Sequence, residues 1–248
     1  MTTQQLLSLL RKGISKYKLI KDGDKIAVGV SGGKDSVTLL KLLAEYKRFS
    51  PEKFELIAIT VDLDFTGVNP DYSPIKSMCD ELGVEYFIEK TDIGKIVFDI
   101  RKESNPCALC SKMRKGALNN LAKKLGCNKV AIGHHADDLT DTMLLSLFYE
   151  GRLSTFAPKS YLDKMDLTLI RPMIMIREID VLAYSKTLPI VNSCCPANKK
   201  TKREYVKDVV REIGKEIPNV RDMLFTALIH PERYNLFDKF EEQADKLD

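Results

Sequence analysis

Two hydrophobic rhythms alternate along this chain. Short, nearly continuous apolar runs recur at residues 25–30, 55–61, 84–88 and 129–132, and each reads as a strand buried on both faces. Between them the apolar positions space out to every third or fourth residue. That period predicts helices from the first strand to about Tyr46, over about 74–82, about 112–125 and about 137–149. Leu6, Leu7, Leu9, Leu10, Ile14 and Tyr17 repeat at helical spacing ahead of the turn Lys21-Asp22-Gly23-Asp24, which predicts an N-terminal helix within residues 1–20. Strand followed by helix, several times over, is the pattern of a doubly wound parallel sheet, an α/β fold. Past Gly151 the rhythm weakens, leaving a further strand at 167–171, a helix at 177–187 and a basic helical remainder. The expected division is an N-terminal helix at 1–20, an α/β domain at 21–190 and a basic helical C-terminal region at 191–248.

A chain of 248 residues that is 44% hydrophobic can bury a full core. It holds no stretch of about eighteen apolar residues and opens without a charged segment, apolar core and cleavage site, so a soluble, cytoplasmic protein with no membrane partner is expected. Six cysteines in such a chain point to metal or sulfur chemistry rather than a disulfide framework. The net charge of +4 permits a polyanionic partner, and its distribution is more telling than its size. Basic residues gather just after cysteines, at Lys112, Arg114 and Lys115 and again at Lys199, Lys200, Lys202 and Arg203. Solvated helix faces explain such runs one at a time; their repeated place beside cysteines favours contact with a nucleic-acid backbone.

The chemistry begins at Ser31-Gly32-Gly33-Lys34-Asp35-Ser36, between the first strand and the first helix of the alternation. Paired glycines let the backbone approach an oxyanion, the hydroxyls of Ser31 and Ser36 can donate to phosphate oxygens, and the helix that follows turns its positive end toward the same point. The spacing is neither GxxxxGK[ST] nor GxGxxG, so this is a phosphate loop of another kind. Asp62 ends the second strand, and Gly133-His134-His135-Ala136-Asp137-Asp138 follows the fourth, so three motifs converge on the carboxyl edge where such sheets bind ligands. Lys34 can neutralise a triphosphate, His134 and His135 can face phosphate, and Asp35 with Asp137 or Asp138 can hold Mg²⁺.

Cys107-Ala108-Leu109-Cys110 supplies two thiols, and Cys194-Cys195 lies downstream. One CxxC cannot close a four-sulfur zinc site, so a third sulfur must come from elsewhere. Three sulfurs leave a coordination position open, which suits a [4Fe-4S] cluster; a three-cysteine zinc site, a redox dithiol and a persulfide carrier are the alternatives. Cys79 and Cys127 read as apolar filler.

Ser31-Gly32-Gly33-Lys34-Asp35-Ser36 resembles the pyrophosphate loop (PP-loop) of the N-type ATP pyrophosphatases, and the GHHxDDxxxT string from Gly133 to Thr142 resembles their second motif. With Pro106-Cys107-Ala108-Leu109-Cys110, Ile170-Arg171-Pro172 and Pro189-Ile190-Val191 ahead of a cysteine, the assembly is similar to the tRNA 2-thiocytidine synthetase family and its 2-thiouridine-forming relatives. The resemblance implies an adenine nucleotide alpha hydrolase-like fold and ATP-dependent replacement of a pyrimidine C2 oxygen by sulfur in tRNA. It also implies a [4Fe-4S] cluster on Cys107, Cys110 and a third cysteine, with Cys195 preferred and Cys194 in reserve, and it places the adenosine near Asp62. The 2-thiouridine relatives often carry zinc-binding CxxC pairs at both termini; this sequence has none, so cytidine in the anticodon loop is the expected target. tRNA, a sulfur donor (sulfide or a cysteine desulfurase persulfide) and a second copy of the chain are the implied partners. The alternatives are 2-thiouridine synthesis, sulfur transfer to a small molecule, an amide-forming or lysidine-type pyrophosphatase, and a nucleotide-binding redox or metal sensor.

Overall fold

The computed structural model describes residues 1–65, 70–101, 106–191, 195 and 201–234. Its centre is a six-stranded sheet in the order β3-β2-β1-β4-β6-β5, built from β1 (Lys25–Gly29), β2 (Glu55–Asp62), β3 (Glu85–Lys90), β4 (Lys129–Ala131), β5 (Lys159–Leu162) and β6 (Leu167–Ile170). All pairings are parallel except that of β5, an antiparallel edge strand on β6.

Strand parity sorts the apolar residues onto two faces. Ile26 and Val28 of β1, with Leu56 and Ala58 of β2, enter one core with side chains of α1 (Thr3–Tyr17), α2 (Lys34–Lys47) and α3 (Ser73–Leu82). Ala27, Ile57 and Ile59 enter the other, against Leu118 and Ala122 of α4 (Pro106–Lys124). Burial on both sides is why these strands read as continuous apolar runs. A short helix, α6 (Glu178–Ser185), joins the first core through Val181. Among the described residues, no helix is long and apolar enough to cross a membrane.

The contacts divide the chain differently from the three parts expected. One compact unit comprises Met1–Ala136 and Phe156–Lys199. It includes α1, which is capped by reciprocal Thr2 and Gln5 hydrogen bonds and buries Leu6, Leu10 and Ile14 in the main core. The other unit comprises Asp137–Thr155 and Lys200–Asp248. Within it, Met143 and Leu144 of α5 (Ala136–Glu150) pack with Val206 and Val210 of α7 (Lys202–Glu216) and with Leu224 of α8 (Val220–Ile229). The helix carrying the His-His-Ala-Asp-Asp continuation therefore shares a core with the C-terminal helices, a partnership that periodicity alone does not reveal.

At the amino edge of the sheet lies a buried ion pair. Lys129 Nζ stands 2.6 Å from Asp24 Oδ2, their side chains 6% and 5% exposed. The same ammonium donates to the Leu19 carbonyl at 2.7 Å, and Asn128 Nδ2 donates to Asp24 Oδ1 at 2.9 Å. Removing one member leaves the other charged, buried and uncompensated, a loss of about 3–5 kcal/mol. Lys129→Ala is accordingly expected to lower unfolding stability by that amount in a urea titration, whereas a change below about 1 kcal/mol would refute the assignment.

Candidate functional site

β1 runs out at Gly29 and α2 starts at Lys34, so the loop between them is only a few residues long. It is tied internally: Ser31 N–H donates to Ser36 Oγ at 3.0 Å, and Ser36 Oγ donates to the Gly33 carbonyl at 3.0 Å. The Ser36 hydroxyl thus shapes the loop in this state, a role added to the phosphate contact expected from sequence. Gly32 has φ of 87°, a left-handed conformation that favours glycine. A Cβ there would lie 3.0 Å from Val191 Cβ, and Val191 N–H donates to the Gly32 carbonyl at 3.0 Å. Gly33 caps α2 without a side-chain bond, and the first-turn amides of a helix have no acceptor within it, so the loop is built to receive an oxyanion.

Lys34 Nζ is 2.8 Å from Asp35 Oδ1 and 3.1 Å from Glu178 Oε1 at the start of α6. Burial alone would lower its pKa, but the hydrogen bonds and charges of Asp35 and Glu178 outweigh that and raise it. Asp35 also faces His135, whose Nε2 is 3.7 Å away and whose ring is 2% exposed. Glu178 is the residue that sequence reasoning missed, because an isolated acid in a helical first turn carries no motif.

The second motif is fastened to the first through Gly133. A Cβ at this position would sit 2.9 Å from the Asp35 carbonyl carbon and oxygen and 3.1 Å from the Ser36 nitrogen, all backbone atoms of the α2 first turn. Such atoms cannot move aside without displacing the phosphate loop. Gly133→Ala is therefore expected to weaken ATP binding at least about 10-fold by calorimetry, the consequence of about 1.4 kcal/mol or more of distortion. Unchanged affinity would show that the two motifs are not coupled.

His134 stacks on Phe156 with centroids 4.7 Å apart. Asp62 accepts from the Asp64 amide at 3.3 Å through its carboxylate, while its carbonyl takes the Thr91 amide and hydroxyl. Part of its work is thus to form the turn after β2. In the second unit, Asp137 is 3.3 Å from Arg221 Nη1, which also lies 3.4 Å from the fully buried Asp141, and Asp138 is 3.6 Å from Arg203 Nη1.

The first described turn of α4 carries Cys107 and Cys110, with Pro106 at its start. Sequence placed this helix from about 112, so the CxxC stands on its N-terminal turn rather than ahead of it. Cys107 is exposed, while Cys110 and Cys195 are half-buried. Burial raises the Cys110 thiol, Arg114 lowers it, and charge on Cys195 and on Cys107 raises it further. Among the described residues, no three Cys, His, Asp or Glu side chains are gathered closely enough to hold an ion as they stand. The donor type is soft, thiol sulfur in each case. Cys194 lies outside the described residues. Cys79 and Cys127 sit in the two cores, and burial pushes each thiol to about 11, as befits filler.

Lys112, Arg114 and Lys115 are exposed on α4 immediately after Cys110. Lys202 is exposed on α7 with Nζ 4.3 Å from the Tyr149 ring, whereas Arg203 turns toward Asp138 and bonds Thr142 Oγ1 at 3.1 Å. Lys199 and Lys200 lie outside the described residues.

Residues 2–217 match the family model described as a PP-loop domain. The tRNA-cytidine(32) 2-sulfurtransferase of Syntrophotalea carbinolica is 38% identical over 240 residues, covering 95% of this chain and 92% of that protein. That of Citrifermentans bemidjiense is 36% identical, covering 92% and 91%. Among solved structures, the U34-tRNA thiolase NcsA from Methanococcus maripaludis with its [4Fe-4S] cluster superposes with a TM-score of 0.73 at 27% identity, covering 94% of this chain and 79% of that one. With the SGGKDS loop and the Gly133 motif locked back to back in one unit, these likenesses establish that the chain belongs to the PP-loop family, among the tRNA-cytidine(32) 2-sulfurtransferases.

Proposed function

We propose that this protein is an ATP-dependent tRNA thiolase that replaces the C2 oxygen of an anticodon-loop cytidine with sulfur. The observation that carries the reading is the joining of two chemistries in one unit. The Gly32 carbonyl of the phosphate loop is bonded to Val191, and Cys195, four residues further on, is one of the sulfurs felt by Cys110. Both lie in the unit Met1–Ala136 and Phe156–Lys199, which supports reading ATP handling and sulfur handling as parts of one reaction.

The loop amides and Lys34 would take the phosphates, with Glu178 yielding its hold on Lys34 as the triphosphate arrives. Asp35 is the loop carboxylate available to a Mg²⁺; Asp137 and Asp138, the other candidates from sequence, are held by arginines of the second unit. The base O2 attacks the α-phosphorus, forming an O–P bond while the bond to pyrophosphate breaks. Compensation of the developing charge by Lys34 and the loop amides assists that departure. The resulting C2–O bond then has AMP as its leaving group. Cys107, Cys110 and Cys195 have the donor chemistry of [4Fe-4S] ligands and would hold such a cluster, which when bound would keep a position without a protein ligand from which to supply sulfide. Because the target base must leave its stack to be activated, a loop nucleotide is a cheaper substrate than a paired one. Lys112, Arg114 and Lys115 beside the cysteines, and Lys202 on α7, would contact tRNA phosphates.

A strain lacking the gene tests the assignment through mass analysis of its tRNA nucleosides. Loss of 2-thiocytidine with 2-thiouridine retained is the expected result. Loss of 2-thiouridine instead would move the activity to the other base, and full retention of both would remove tRNA as the substrate.

A further inference from the structure

Arg171, one residue beyond β6, is 6% exposed, and no carboxylate among the described residues pairs with it. Burial lowers its pKa to about 10, which leaves it charged at neutral pH. Its Nη1 donates to the Ala157 carbonyl and to Ser160 Oγ at 3.3 Å, and its guanidinium carbon lies 4.7 Å from the Phe156 ring centroid. Its Nε donates to His134 Nδ1 at 3.1 Å. An unpaired buried cation is costly, and here the group spends one of its fixed donors on the histidine of the second motif.

The direction of that bond has a chemical consequence. A guanidinium can only donate, so His134 Nδ1 must offer a lone pair, and the neutral ring then carries its proton on Nε2. A carboxylate at Nδ1 makes Nε2 a base, as in hydrolase triads. A cation at Nδ1 does the reverse, polarising the imidazole as a donor and disfavouring a second proton beside an existing positive charge. Stacking on Phe156 fixes the ring plane, and Gly133, the preceding residue, is packed on the Asp35–Ser36 backbone.

We propose that Arg171 is a positioning residue that fixes His134 as its Nε2–H tautomer, so that this imidazole donates a hydrogen bond to a phosphoryl oxygen of the nucleotide held by the loop 31–36. This rests on the thiolation reading only for the reaction in which the donor is used. It explains why a charged residue with no carboxylate partner among the described residues is kept at the carboxyl edge of the sheet.

The chain has three histidines, so long-range ¹H–¹⁵N correlation on the full-length labelled protein at neutral pH resolves them, with His134→Gln identifying the signal. The expected spectrum shows His134 Nδ1 unprotonated and Nε2 protonated, with the Nε2 resonance moving when ATP is added. Arg171→Met is expected to draw the two nitrogen resonances toward the average of a tautomer mixture. It should also lower kcat for AMP formation about 100-fold, with KM for ATP changed far less. Arg171→Lys, which keeps a donor, should recover part of both effects. A proton on Nδ1 in the wild-type protein overturns the proposal, and so does an Arg171→Met variant with unaltered resonances and kcat. The wild-type spectrum decides even if that variant does not fold. If the spectrum and its response to ATP are as expected but no tRNA-dependent AMP forms, the thiolation reading fails while the assignment of Arg171 stands.

Discussion

Cys110→Ala is expected to abolish tRNA thiolation while leaving tRNA-dependent pyrophosphate release in a single turnover close to wild type. Charge on Cys195 and on Cys107 raises the Cys110 thiol, so Cys110 is the member of the proposed trio chosen for the test. Removing one member of a group that acts as a unit costs nearly as much as removing all of it, here roughly 10³-fold or more in thiolation rate. Iron bound by the anaerobically reconstituted protein should fall in parallel. Adenylation should survive, because the residues that carry it lie on the loop 31–36 and not on α4. Cys127→Ala is the matched control: it removes a thiol from a core cluster, so it should lower stability and leave iron content and thiolation as they were. Thiolation persisting in Cys110→Ala would show that sulfur reaches the base without this trio.

Asp35→Asn is expected to give the opposite phenotype. Asp35 is a carboxylate that lies near both Lys34, at 2.8 Å, and His135, at 3.7 Å. Making it neutral removes the carboxylate charge beside the Lys34 ammonium meant for phosphate, weakens its contact with the His135 imidazole and takes away the loop's candidate Mg²⁺ ligand. AMP formation should fall about 10²–10³-fold, the range seen when one preorganised electrostatic group is lost from an active site. Iron content should be unchanged. Side by side, the two variants separate nucleotide activation from sulfur delivery. If Asp35→Asn lost iron as well, the two parts of the unit would be interdependent in folding rather than in chemistry.

Much of this arrangement is legible in the sequence because the central strands are buried on both faces. Ile26, Val28, Leu56 and Ala58 serve one core and Ala27, Ile57 and Ile59 the other, which leaves no polar positions to blur the runs. β5 escapes such reading because Lys159-Ser160-Tyr161-Leu162 is a short edge strand with alternate residues exposed. The first turn of α4 escapes because CxxC draws attention as an irregular segment, although proline favours the start of a helix. Lys129 looks like a strand boundary and is instead a buried charge. The phosphate loop and the cysteines announce themselves by residue type, whereas Glu178 and Arg171 act through distant partners, Lys34 and His134, that no local pattern connects to them. Likewise, the periodicity of α5 states that one face is apolar but not that α7 and α8 will cover it.

One chain is expected to perform both ATP cleavage and sulfur insertion on the same base. Anaerobically reconstituted wild-type protein, supplied with ATP, Mg²⁺, sulfide and tRNA from a strain lacking the gene, measures this directly when thionucleoside, AMP and pyrophosphate are quantified together. The expected result is 2-thiocytidine appearing in step with equal amounts of AMP and pyrophosphate, and only when ATP is present. Thionucleoside formed without ATP, or AMP released with no sulfur entering the tRNA, would contradict it.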